Sequence, residues 1–213
     1  MNTPTKITVA RIIAIAVMLI GLFVLSFIPF SAEQKAAMML GDSGINLIYL
    51  IICIIFIVAS FTDFLDGYLA RKNNQVTNLG KFLDPVADKL LVNSIVIFLL
   101  VPQSYTIGQM SFPLFCAIIL ICRDLVVDAL RFIAASKHVV LAANYFGKIK
   151  TVLEMIAVPA ILLNGWPFSY FDKDWGYFRI AFILVYLATL ASLLSGIIYV
   201  VQNRNVLKED KHE

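Results

Sequence analysis

Long apolar runs separated by short polar segments organise this chain. Charge-free stretches cover 12–32, 43–62, 90–101, 111–122, 155–171 and 180–203, the third of them continuing a helix that begins near Phe82. A helix needs roughly 20 residues to cross a hydrocarbon core of about 30 Å. With flanking turns added, the runs predict an all-α polytopic membrane protein, a six-transmembrane-helix bundle forming a single membrane-embedded domain over 1–213. No soluble domain, linker, internal repeat or low-complexity tract interrupts the pattern. The first run follows Lys6 and Arg11 and ends in Ser31-Ala32, in the manner of a secretory signal. It is longer than a signal's apolar region and further spans follow it, so it reads as a retained helix.

Composition agrees with the pattern: 61% of residues are hydrophobic, 15% are charged, and mean hydropathy is +0.88, which excludes a soluble globular domain. Charge then orients the helices. Lys6, Arg11, Arg71, Lys72, Lys81, Arg131, Lys137, Lys148, Lys150, Arg204, Lys208 and Lys211 fall on one side of the predicted spans, against Lys35, Lys173 and Arg179 on the other. Positive residues concentrate in cytoplasmic loops, so both termini are expected in the cytoplasm. Phe168, Tyr170, Phe171, Trp175 and Tyr177 gather at the opposite boundary like an aromatic belt. The net charge of +3 is therefore a topology signal, with some affinity for anionic membrane lipid, and no nucleic-acid partner is expected. Cys53, Cys116 and Cys122 lie inside apolar spans without metal-ligand spacing and read as packing residues.

Against this apolar background the carboxylates stand out. Asp63 and Asp66 are three residues apart, and Gly67 and Ala70 extend the same helical face. Asp84 and Asp88 are four apart, again on one side of a helix. Pro85 suits the first turn of that helix, with Asp84 as its N-cap, or it kinks a longer helix; either geometry turns both carboxylates toward one space. The polar segment between Arg71 and Gly80 turns the third helix back against the second, so the two carboxylate pairs are expected to meet near the membrane surface. Clustered acids raise one another's pKa unless a cation neutralises them. Hard divalent ions with oxygen ligands suit such a set, often as a pair about 3.5–4 Å apart. The competing reading makes the acids interfacial caps and topology markers. Gly67, Ala70 and Gly80 likewise either let helices pack closely or clear room for a phosphorylated ligand, for which Arg71 supplies a planar fork.

Asp63-x-x-Asp66-Gly67-x-x-Ala70-Arg71, eight residues, then Gly80-x-x-x-Asp84-x-x-x-Asp88 resembles the complete signature of the CDP-alcohol phosphotransferase family. The resemblance implies a six-helix membrane enzyme, usually a homodimer, that moves a phosphatidyl-type group from a CDP-linked donor, here expected to be CDP-diacylglycerol, to an alcohol and releases CMP. It implies that Asp63, Asp66 and Asp84 hold one Mg2+ or Mn2+ ion, that Asp63, Asp84 and Asp88 hold a second, and that Asp88 also accepts the proton. By the same resemblance Asp66, Gly67, Ala70, Arg71, Thr77 and Gly80 contact the CDP donor. The opening Thr5-Lys6-Ile7-Thr8-Val9-Ala10-Arg11 is similar to the family's usual start, which assigns Thr8 to the nucleotide, although the common asparagine-leucine lead is missing. The chemistry agrees: metals on a diphosphate remove the charge that repels an incoming oxygen.

The second half of the chain bears on the acceptor. Arg123, Arg131, Lys137, Lys148 and Lys150 form a basic set on the side of the aspartates. Arg123, Arg131, Lys137 and Lys148 are candidates for an acceptor's phosphate, whereas Asp124 or Asp128 could instead serve only to neutralise Arg123. The stretches RDLVVDALR and GKIKT resemble those of family members that use sn-glycerol 3-phosphate, which more often carry glutamate at the position of Asp124. His138 reads as a loop residue. Inositol phosphate, serine and phosphatidylglycerol are the rival acceptors. Membrane prenyltransferases also pair aspartate motifs, but on widely separated helices and without the Asp-Gly-x-x-Ala-Arg core. A divalent-cation transporter is the non-enzyme reading, opposed by acids clustered at the edge and not at midplane. The expected location is the cytoplasmic membrane, with the active site facing the cytoplasm.

Overall fold

The computed structural model describes residues 3–72, 78–137, 139, 141, 145–172 and 174–204, with backbone alone at 3, 4, 42, 64–72, 78–82 and 177. Among them there is no strand. The long helices are α1 (Thr3–Ser26), α3 (Leu47–Lys72), α4 (Asn78–Phe98), α5 (Leu114–Ser136), α6 (Tyr145–Leu162) and α8 (Ile180–Gln202). Two short helices, α2 (Ala32–Ala37) and α7 (Ser169–Asp172), lie between them. Thr5–Ser26 and Ile180–Gln202 are long and apolar enough to cross a membrane, with mean hydropathies of 2.6 and 2.3. Helices α5 and α6 are comparably long but carry Arg123, Asp124, Asp128 and Arg131, and Lys148, Lys150 and Glu154, which lower their hydropathy. The chain is consistent with a membrane protein.

The residues form two compact units, 1–111 with 159–170 and 112–158 with 171–213. In the first, α1 packs along α3 and α4. Its buried positions are Thr5, Thr8, Arg11, Ile15, Met18 and Leu22, a stripe of three- and four-residue steps. The stripe is polar in its first two turns and apolar afterwards. The opposite face exposes Ile13, Val17, Ile20 and Phe23, each by more than half. So continuous an apolar face suits lipid and not water.

Asp84 is not a helix cap. Helix α4 starts at Asn78 and contains Pro85, so the longer-helix reading holds and the start near Phe82 is corrected by one turn. Proline removes one interior hydrogen bond, which apolar packing of Ala87, Leu91 and Ile95 on the same helix outweighs.

At the far end of this unit, side-chain amides tie the loops. Asn46 Nδ2 donates to the Tyr105 carbonyl at 3.1 Å. Asn164, at φ 55°, donates to the Gly44 carbonyl at 3.0 Å and accepts from the Met110 amide at 3.0 Å. Tyr105 packs edge-on to Phe30 with ring centroids 5.8 Å apart. Burial pushes its phenol above the ordinary tyrosine range, so it stays neutral.

In the second unit α5 packs along α8. Helix α8 buries Ala181, Ala188, Ala191, Ser192, Ser195 and Gly196, small residues that let two backbones approach. Its N-terminus is tied by Asp172, whose Oδ2 accepts from the Ile180 amide at 2.6 Å. Cys53 and Cys116 are buried, as packing residues should be, but Cys122 is exposed, lining an apolar groove with residues of α8.

The Asn164 tie predicts that Asn164→Ala lowers stability by about 1–3 kcal/mol. Asn164→Gly, which tolerates the positive φ, should recover part of the loss. Thermal unfolding in detergent checks this, and equal losses would mean that the backbone conformation contributes nothing.

Candidate functional site

The polar end of the α1 stripe faces the predicted acid set. Thr8 Oγ1 donates to Asp84 Oδ1 at 2.8 Å, and Arg11 Nη1 pairs with Asp63 Oδ1. Thr8 and Arg11 are one helical turn apart, so one face of α1 gathers a carboxylate from α3 and one from α4. Arg11 is 5% exposed, while the Asp63 side chain is 36% exposed. The acids are thus held by buried donors yet open on one side. Asp88, one turn beyond Asp84, is half-buried. Asp63 lies 16 positions along α3 from Leu47, about 24 Å at 1.5 Å per residue, so the acids occupy the end of the unit remote from the Asn164 tie.

Asp66, Gly67, Ala70 and Arg71 lie on α3 and Gly80 on α4; their side chains, and Thr77 altogether, are outside the described residues. Among the described residues no three His, Cys, Asp or Glu side chains come together as a metal-holding group. The donor set still fits a hard divalent cation. It offers only oxygen ligands from two helices, and Thr8 bonds one Asp84 oxygen as an outer partner that fixes the carboxylate's orientation.

Sequence reasoning counted Arg11 as a topology marker and placed it in the family-like opening with Thr8, but assigned it no partner. The signal was the three-residue step from Thr8, which puts the two side chains on one helix face.

The second unit holds the other charged group. Arg123 Nη1 donates to Asp124 Oδ1 at 3.0 Å and Nη2 to Ser195 Oγ at 2.6 Å. Lys150 Nζ reaches Asp124 at 3.1 and 2.9 Å and Glu154 Oε2 at 2.8 Å. Asp124, Lys150 and Glu154 are all buried. Among the described residues the pairs join two cations and two anions, whose charges cancel. The pairing of Arg123 with Asp124 that the sequence left open is present. Lys150, in contrast, does not stand with the solvent-facing basic residues; it is occupied by two carboxylates. Arg131 and Lys148 are exposed and Lys137 is half-buried. Arg131 Nε donates to Tyr199 Oη at 3.4 Å, and its guanidinium carbon lies 5.8 Å from that ring's centroid. His138 is outside the described residues.

This chain belongs to the CDP-alcohol phosphatidyltransferase family, whose pattern it matches over residues 1–194. Several similar proteins carry one name, CDP-diacylglycerol--glycerol-3-phosphate 3-phosphatidyltransferase. The one from Bacillus subtilis is 39% identical over 207 residues, 97% of each chain. The Mycoplasma pneumoniae protein is 40% identical over 162 residues, 73% of this chain and 67% of its own. The Rickettsia bellii protein is 33% identical over 200 residues, 93% of each.

Removing Lys150 takes away the cation that two buried carboxylates share. Lys150→Met is therefore expected to destabilise the protein by about 3–5 kcal/mol, whereas Lys148→Met on the exposed side should have little effect. Adding Glu154→Leu to Lys150→Met should restore part of the loss. Detergent melting curves of the three variants check this, and equal behaviour of Lys148→Met and Lys150→Met would contradict it.

Proposed function

We propose that the protein transfers the phosphatidyl group of CDP-diacylglycerol to sn-glycerol 3-phosphate and releases CMP. The observation that carries this reading is the likeness, over nearly the whole length of both chains, to the Bacillus subtilis protein named for that reaction. The α1 face that gathers Asp63 and Asp84 supports it. In this reading Asp63, Asp66 and Asp84 hold one Mg2+ or Mn2+ ion, and Asp63, Asp84 and Asp88 hold a second. When bound, the ions neutralise the donor's diphosphate and stabilise the departing phosphate. Thr8, Asp66, Gly67, Ala70, Arg71, Thr77 and Gly80 hold the CDP portion. Arg123, Arg131, Lys137 and Lys148 take the acceptor's phosphate. Asp88 accepts the acceptor's hydroxyl proton as that oxygen bonds to the phosphatidyl phosphorus and the bridging oxygen leaves with CMP.

The same proposal includes six spans in one membrane-embedded domain, both termini in the cytoplasm, a homodimer in the cytoplasmic membrane, and an active site on the cytoplasmic face. The lengths of α1, α3, α4, α5, α6 and α8, which are 24, 26, 21, 23, 18 and 23 residues, suit a hydrocarbon core of about 30 Å.

The test is CMP release by purified protein from CDP-diacylglycerol with magnesium, offering sn-glycerol 3-phosphate, inositol 1-phosphate or serine, each with and without EDTA. Release with glycerol phosphate alone, abolished by EDTA, is expected. Release with another acceptor would overturn the acceptor assignment. Asp88→Asn should lower turnover at least about 100-fold while donor binding persists; turnover like that of the unaltered protein would remove Asp88 as the base.

A further inference from the structure

Both arginines of α5 take hydrogen-bond partners from the last helix. Arg123 and Arg131 are eight residues apart on α5, and their partners Ser195 and Tyr199 are four apart on α8. Between those partners stands Gly196. A Cβ there would come within 2.8 Å of Arg123 Cγ, so the arginine's stem occupies the space that a side chain would fill. Gly147 on α6 makes similar room: its Cβ would meet Arg123 Nη2 and Ser195 Oγ, each at 3.3 Å. The other side of Arg123 offers no alternative anchor. It borders an apolar groove of about 450 Å³ lined by Ile118, Cys122, Val126, Leu193, Ile197 and Val200. Only Asp124 and Ser195 therefore bond the Arg123 guanidinium among the described residues.

A guanidinium recognises phosphate through a planar fork whose orientation matters as much as its charge. Tyr199 is 2% exposed, so its hydroxyl meets Arg131 from a fixed ring, and Ser195 is fully buried. We infer that Ser195, Gly196 and Tyr199 are positioning residues that set the two arginines for a phosphorylated acceptor, making the apolar helix α8 a determinant of acceptor choice. This rests on the proposal that these arginines take the acceptor's phosphate. None of the three residues is assigned contact with substrate.

The experiment is steady-state kinetics of CMP release with both substrates varied, on Ser195→Ala, Tyr199→Phe and Gly196→Ala, with detergent melting of each. Ser195→Ala and Tyr199→Phe are expected to raise the KM for sn-glycerol 3-phosphate, by about tenfold for the first and severalfold for the second, whose bond is longer. KM for CDP-diacylglycerol and kcat should stay within about twofold, and melting should be little changed. Gly196→Ala should move acceptor KM in the same direction by displacing Arg123. Ser192→Ala is the control: its buried hydroxyl lacks a hydrogen-bond partner, and both KM values should stand. Arg123→Lys and Arg131→Lys separate the two levels of the argument. If they raise acceptor KM while Ser195→Ala and Tyr199→Phe do not, the positioning role is overturned and the acceptor assignment survives. If the lysine variants also leave acceptor KM unchanged, the assignment of the arginines falls and the inference with it. An equal rise in both KM values with a lowered melting temperature would mark the α8 residues as structural only and overturn the inference.

Discussion

A charge placed on an apolar helix needs a cation or a hydrogen-bond donor from a neighbouring helix, because burial without one costs several kcal/mol. That requirement organises both units of this protein. In the first, Asp63 and Asp84 meet Arg11 and Thr8, which fixes α3 and α4 against the same turns of α1. In the second, Asp124 is shared by Arg123 and Lys150, and Lys150 is shared again with Glu154. Dispersion and small-residue contacts bring the helices together, and the polar pairs select one register among the many that apolar faces would tolerate.

The two groups differ in what they leave over. Within the α5–α6 set the Asp124–Lys150–Glu154 part is closed: all three are buried and Lys150 bonds both carboxylates, which ties the two helices together. The α1 set is open. Asp63 keeps a third of its side chain exposed, and Asp88, one turn beyond Asp84 on α4, is half-buried. Carboxylates held from one side by a buried donor and exposed on the other can take additional ligands without dismantling the helix packing. That asymmetry, and not the number of acids, distinguishes the α1 set from the buried ion pairs of Lys150.

Much of this was legible in the sequence because it depends on spacing. The three-residue step from Asp63 to Asp66 and the four-residue step from Asp84 to Asp88 each define a helix face whatever the tertiary arrangement. Thr8 was singled out by the likeness of the opening Thr5-Lys6-Ile7-Thr8-Val9-Ala10-Arg11 to the family's usual start. What escaped was long-range. Arg11 and Asp63 are 52 residues apart, and Lys150 and Asp124 are 26 apart. A one-dimensional reading counts such lysines and arginines by loop, so Lys150 passed for a loop-side cation. Pro85 resolved toward the longer helix, which starts at Asn78 and buries Ala87, Leu91 and Ile95 beyond the proline, a context that a local propensity argument does not weigh. Glu154 was overlooked because a single acid in an apolar run carries no pattern until its partner four residues earlier is known to be buried.

Helix α8 makes the same point from the opposite direction. Its sequence is nearly all apolar or small, and hydropathy alone reads it as a plain membrane span. Yet the hydroxyls at Ser195 and Tyr199 repeat at the i, i+4 step, and Gly196 falls beside the first of them, so one face of the helix carries two donors' partners and a gap. A serine in a span is usually satisfied by its own helix, as Thr189 is through the Val185 carbonyl at 2.8 Å. Ser195 instead accepts from an arginine on another helix. In an apolar segment the direction of one hydroxyl is thus more informative than its presence, because a side chain that could bond locally has been turned outward to hold a charge in place.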